Sequence, residues 1–217
     1  TPVFKPGETR SNPGMAGNVV VNLKSLGIDT TFIHQKEQIR KTRYVDEKSN
    51  QMIIRVDEGE DLIERFEMTD DVIEKIKESD IVIISDYNKG FLSTETITLI
   101  GHHAKLSILD SKRQMVPAFT TIDFIKLNKS EREQQDDYLV SKLNIITTLG
   151  KKGAEYKNKI YPSPSPRDTI DVSGAGDTFT SAFILKSHET KDIQTSIYYA
   201  NSKAANVVSR RGVVVPK

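Results

Sequence analysis

The sequence runs to 217 residues, 36% of them hydrophobic, with 31 Lys+Arg against 30 Asp+Glu and no cysteine. That length supports an α/β domain with a substantial core. The even charge balance offers no basic field for general nucleic-acid binding, and the lack of cysteine excludes disulfides and thiolate metal sites. No apolar run approaches the roughly 18–20 residues that a spanning helix needs, so no membrane partner is expected and a cytoplasmic location is.

In chain order, residues 1–13 are rich in Pro, Gly and Asn and read as a loop or edge segment. The stretch MAGNVVVNLKSLG then sets Ala16, Val19, Val20, Leu23 and Leu26 at helical spacing and closes on Gly27. GIDTTFIHQKEQIRKTRYV passes from one strand to the next with almost no crossover. RYVDEKSNQMIIRVD reads as a β-hairpin turning at EKSN. TDDVIEKIKESD is an amphipathic helix capped by Thr69 or Asp70. IVIISD is a buried strand, STETITLIGHHAK a helix and LSILD another strand. DFIKLN, a helical DDYLVSKL and NIITTLG follow, and AEYKNKIY is a short hairpin. Two helices end the chain, the second through IQTSIYYANSKAANVVSRRG. Adjacent His102 and His103 would point two ways on their helix, poor geometry for one metal ion.

Strands alternating with helices predict an α/β, three-layer α-β-α architecture with a mostly parallel central sheet. Right-handed crossovers bring the strand C-terminal ends to one edge, where ligands of such sheets sit. Late in the chain falls DTIDVSGAGDTFTSAFIL, Asp168 to Leu185, where a β-like run breaks at Ser-Gly-Ala-Gly-Asp and resumes as an apolar helix. Gly174 and Gly176 let the backbone turn tightly with no Cβ between it and a ligand. The helix start adds unpaired N–H groups and a partial positive charge, together an anion site. Asp177 in the first turn can accept a proton from a substrate hydroxyl while the amides hold phosphoryl oxygens. The alternative is a plain strand-to-helix turn in which Asp177 is only a favourable first-turn charge.

DTIDVSGAGDTFTSAF resembles the C-terminal signature of the ribokinase-like (phosphofructokinase-B) sugar kinases. Further stretches match that family in order: PGMAGNVVVNLKSLG is similar to its sugar-side motif, with Met15 where a second glycine is usual; LNKSE to its Asn-x-x-Glu motif; TLGKKGAEY to its nucleotide-edge segment; YANSKAANVV to the helix by its adenine pocket. KTRYVDEKSNQMIIRVDEGE and SDYNKGFLS are similar to the heptose 7-phosphate kinase branch, which phosphorylates C1 of D-glycero-β-D-manno-heptose 7-phosphate toward ADP-heptose and lipopolysaccharide core.

The resemblance implies an ATP- and Mg²⁺-dependent kinase acting on a sugar or sugar phosphate, in a ribokinase-like domain over residues 1–217. A small β lid is implied at about 41–58, with a homodimer through that lid. Asp177 would deprotonate the sugar hydroxyl, and the N–H groups of Gly174, Ala175 and Gly176 would stabilise the transferring phosphoryl group. Asn128 and Glu131 would organise Mg²⁺, largely through water; Glu131 is otherwise an exposed helix-start carboxylate. Thr148, Gly150 and Gly153 would line the nucleotide and Asn201 the adenine, unless Asn201 belongs to an exposed helix face. Gly14 and Asn18 would face the sugar, Asn18 otherwise serving only its own helix start. Arg43 and Arg55 would grip the substrate's phosphate, the alternative being a solvated, salt-bridged hairpin face. Lys89 and Lys112 would neutralise phosphate charge or be ordinary surface lysines.

Against the family plan, the opening strand with its sugar-gripping aspartate and a stretch near His34 have no counterpart, so an incomplete domain is expected. The His-x-Gly-His motif of the cytidylyltransferase half that often follows this kinase does not occur in the 217 residues. Two other readings stay open: another ribokinase-like sugar kinase (for ribose, fructose or a sugar phosphate), and a catalytically silent sugar- or nucleotide-binding protein.

Overall fold

Local chemistry starts and stops the elements of this protein largely where its periodicity predicts them. The computed structural model describes residues 3, 5, 7–9, 11–49, 51–164 and 174–208, without the side chains of Met15 and Val208. The expected strand before Gly174, the tail of the last helix beyond residue 208 and the side chain of Met15, at the place of the family's second glycine, therefore lie outside the described residues. The described chain forms two compact units, residues 1–30 with 148–217 and residues 31–147.

In the 31–147 unit, β1 (Arg40–Val45) pairs antiparallel with β2 (Met52–Glu58), from Arg40 opposite Glu58 to Val45 opposite Met52. Asp46 fixes the turn by accepting from the Ser49 amide and hydroxyl, each at 2.7 Å. Helix α2 (Asp70–Glu78) starts where the Thr69 hydroxyl accepts from the Val72 amide, and it buries Ile76. Strand β3 (Val82–Asp86) leads to α3 (Thr94–His103), capped by Ser93, and then to β4 (Ser107–Ser111). Strand β5 (Phe124–Asn128), helices α4 (Lys129–Glu133) and α5 (Asp137–Lys142), and β6 (Ile145–Thr148) complete the run. β3 pairs parallel with β4, and β4 with β5; β6 lies beside β5. One sheet face supplies Ile84, Leu109, Ile125 and Leu127 to a core shared with Ile76, Ile97, Ile100 and Phe119. The C-terminal ends Asp86, Ser111 and Asn128 consequently share one edge.

Two readings change here. Residues 28–39 contain no strand: Phe32 and Ile33 are about two-fifths exposed, so nothing covers a strand there. Helix α4 has five residues, too short to show a helical period, and arises from its cap.

In the other unit, α1 (Met15–Ser25) packs on α6 (Ala175–Thr190), and α6 on α7 (Ile193–Val208). Val19, Leu23, Phe179, Ala182, Phe183, Ile197 and Ala200 are buried there. As predicted, Gly27 closes α1, taking φ 77° while its amide and that of Ile28 bond the carbonyls of Lys24 and Leu23. Strands β7 (Ala154–Tyr156) and β8 (Lys159–Tyr161) pair antiparallel through Lys157 and Asn158, both at positive φ as a tight hairpin turn requires. No helix among the described residues is long and apolar enough to cross a membrane.

Candidate active site

The start of α6 is where the sequence reading expects the chemistry. Gly174 is its N-cap in the left-handed conformation, φ 82°, where a side chain would strain the backbone. Among the described residues no side chain caps this end, and the first-turn N–H groups of such a helix start suit an anion. Gly174, Ala175 and Gly176 are half-buried rather than sealed in the core. Asp177, in the first turn, is 8% exposed.

Its neighbour comes from α1. Gly14, at φ 64°, precedes that helix, and one turn in, Asn18 is 6% exposed. The Asn18 Nδ2 donates to Asp177 Oδ2 at 3.1 Å, across 159 residues of sequence. Asn18 Oδ1 is buried and has no partner among the described residues. A buried acceptor without a donor costs about 1–3 kcal/mol. The helix-start alternative for Asn18 does not hold, since its amide group serves another helix.

Thr148 ends β6, half-buried, and Gly150 follows with φ 59°. The Leu149 amide donates to the Gly153 carbonyl at 2.8 Å. Gly153 has no room for a side chain: a Cβ there would lie 2.1 Å from the Tyr161 carbonyl oxygen. Asn201 is buried, and its Nδ2 donates to that same carbonyl at 2.9 Å. It ties α7 to β8 and is no exposed-face residue.

In the 31–147 unit, Asn128 Oδ1 accepts from the Glu131 amide at 2.9 Å while Glu131 Oε2 accepts from the Asn128 amide at 2.7 Å. This capping box explains the Asn-x-x-Glu spacing locally and engages the single side-chain oxygen of Asn128 and one of the two of Glu131. Lys112 stands over the Tyr87 ring at 4.8 Å. Arg43 and Arg55 sit directly opposite each other on the hairpin, both exposed, an arrangement that is unfavourable without a neutralising anion. Arg55 Nε reaches Asp57 at 2.9 Å. Lys41 lies on the same face, opposite Asp57, and its Nζ is 2.5 Å from Glu60, whose other oxygen holds Lys89 at 2.6 Å. Hydrogen bonds from Lys41 and then Lys89 draw the Glu60 carboxyl down to about 2.

Three polar groups escaped the sequence reading. Asp86 is buried and bonds Arg113 and Ser111. Lys126, 6% exposed, reaches both oxygens of Asp110 opposite it, at 3.1 and 3.0 Å. Glu60 gathers two lysines. A lysine at a core-phase position of DFIKLN is the one signal that would have flagged any of them.

The model of the pfkB family of carbohydrate kinases matches residues 16–217. The chain belongs to that family. Among curated proteins, the Bifunctional protein HldE of Helicobacter pylori is 32% identical over 89% of this chain, and that of Helicobacter acinonychis 34% over 79%. The chain spans about half the length of these relatives, 48% and 43%. Solved structures agree on the fold. The ribokinase of Thermotoga maritima superposes with TM-score 0.64 at 21% identity, over 90% of this chain and 71% of its own. Phosphofructokinase-2 of Escherichia coli gives 0.62 at 18%, over 91% and 74%. The pfkB chain thus has the expected ribokinase-like α/β fold, with a mostly parallel sheet, flanking helices and a small antiparallel sheet.

Proposed function

We propose that this chain is an ATP- and Mg²⁺-dependent kinase that phosphorylates a sugar already bearing a phosphate, most specifically C1 of D-glycero-β-D-manno-heptose 7-phosphate. One observation carries the reading: a buried carboxylate, Asp177, in the first turn of a helix that starts on a glycine, held by a buried asparagine.

Asp177 takes the proton of the acceptor hydroxyl as its oxygen attacks the γ-phosphorus. The new O–P bond forms as the bond to the β-phosphate oxygen breaks, and ADP leaves with that electron pair. The Asn18 amide fixes the orientation of the carboxylate, and Asn18 Oδ1 accepts from a sugar hydroxyl. The N–H groups of Gly174, Ala175 and Gly176 stabilise charge on the moving phosphoryl group. Asn128 and Glu131 would hold Mg²⁺, largely through water, by hard oxygens of the kind that ion takes. When bound, the ion neutralises phosphate charge. Thr148, Gly150, Gly153 and Asn201 serve the nucleotide, and Lys112 its phosphates.

The hairpin favours a phosphorylated acceptor. Lys41, Arg43 and Arg55 share one face against Asp57, and Lys89 joins Lys41 through Glu60. Four cations against two carboxylates leave a surplus matched to a phosphate dianion, whereas a neutral sugar has no use for the opposed arginines. The heptose itself rests on the likeness of the KTR…RVD and SDYNKG segments to the heptose 7-phosphate kinase branch.

The test follows ADP release with Mg-ATP against free and phosphorylated sugars, including the heptose 7-phosphate. Asp177→Asn is expected to lower kcat by roughly 10²–10⁴-fold with ATP affinity retained. Turnover that survives this change removes Asp177 from the base role. Arg43→Ala or Arg55→Ala is expected to raise KM for phosphorylated sugars only; preference for a plain hexose, with both arginines dispensable, refutes the heptose assignment.

A further inference from the structure

Two side chains with no assigned role join the loops at the C-terminal edge of β3, β4 and β5. Arg113, just beyond β4, donates through Nε to Asp86 Oδ2 at 2.5 Å and through Nη2 to the Leu92 carbonyl. Its own amide bonds Ser111 Oγ at 3.1 Å, and that hydroxyl donates to the same Asp86 oxygen at 2.8 Å. The other Asp86 oxygen accepts from the Asn88 amide at 2.9 Å. The loop after β3, which carries Lys89, and the loop after β4, which carries Lys112, are thus tied by one buried carboxylate and one guanidinium.

Gln135, in the turn between α4 and α5, makes the second tie. Its Nε2 donates to the Arg113 carbonyl at 3.2 Å and to the Glu131 carbonyl at 3.0 Å. Its Oε1 accepts from the Met115 amide at 2.7 Å. Two acceptors on one side and a donor on the other require a carboxamide; neither a carboxylate nor a hydrocarbon satisfies all three. Glu131 in turn closes the capping box with Asn128.

We propose that Arg113 and Gln135 are positioning residues for phosphoryl transfer. Arg113 sets the loop of Lys89 against that of Lys112, and Gln135 sets the latter against the Asn128–Glu131 pair. Sugar-phosphate recognition and Mg-nucleotide binding are then registered to one frame. This rests on the kinase reading of that edge. Arg113 is suited because its fork spans two acceptors where a lysine supplies one point charge.

The experiment uses the full chain with Gln135→Glu and Arg113→Lys. It measures kcat, the sugar KM for D-glycero-β-D-manno-heptose 7-phosphate, the Mg²⁺ concentration for half-maximal rate, and hydrogen exchange over residues 87–92, 112–116 and 129–135. Gln135→Glu is expected to raise the half-maximal Mg²⁺ by about tenfold, leave the sugar KM within twofold, and speed exchange over 112–116 and 129–135. Arg113→Lys is expected to raise the sugar KM by about tenfold, leave the Mg²⁺ requirement alone, and speed exchange over 87–92. Wild-type turnover with both constants unmoved in both variants overturns the positioning role, as does a loss explained wholly by a smaller folded fraction. A wild-type chain silent toward every phosphorylated and free sugar overturns the kinase reading and this inference with it.

Discussion

Replacing Asn18 with alanine and with aspartate separates a catalytic role from a packing one. In the native chain its amide donates to a buried Asp177 oxygen at 3.1 Å. A hydrogen bond to a charged group contributes about 1.5–3 kcal/mol, so Asn18→Ala is expected to lower kcat/KM by roughly 10- to 150-fold. Asn18→Asp turns the donor into a second carboxylate. Two unit charges at 3.1 Å repel by about 5 kcal/mol at an effective dielectric of 20. The pair must then hold a proton or splay apart, and either event takes the base from the acceptor hydroxyl. The expected order is wild type, then alanine, then aspartate, read by coupled ADP release at saturating Mg-ATP and normalised to the folded fraction from thermal melts. A residue needed only for packing gives the reverse order, because aspartate matches the size of asparagine while alanine leaves a cavity. An aspartate variant more active than the alanine variant would therefore refute the argument.

Other consequences follow from geometry alone. Gly153→Ala places a Cβ 2.1 Å from the Tyr161 carbonyl oxygen and 2.6 Å from the Ser163 amide, at φ 96°. It should cost about 3 kcal/mol or more, a Tm lower by roughly 6–12 °C; an unchanged melt would show that the hairpin is not packed this way. The Glu60 carboxyl is drawn from its ordinary 4.5 down to about 2 by Lys41 and Lys89. Its contribution is therefore complete above pH 4.5 and is lost as pH falls from there toward 2. Acid melts of wild type and Glu60→Gln should differ most above pH 4.5 and converge in that window, the wild type alone losing stability from this group; parallel acid limbs count against the Lys41–Glu60–Lys89 bridge.

Much of this protein was written in local chemistry. Thr69 and Ser93 start their helices because a hydroxyl at the N-cap satisfies an amide that no carbonyl reaches, and that pattern needs only neighbours in sequence. The parallel strands announced themselves as short apolar runs between helices, and the Gly-Ala-Gly-Asp turn as a helix start led by glycine. The residues 28–39 misled because apolar side chains alone suggested a strand, while strand formation also requires a partner edge and a covered face. Tertiary structure alone decided which charges meet. Asn18 and Asp177 are 159 residues apart, Asp86 and Arg113 are 27 apart, and Asp110 faces Lys126 only because β4 and β5 take one register. Periodicity records which side of an element is buried. It carries nothing about which distant group arrives there, because that is set by how the elements pack and by the need to pair every polar atom they enclose.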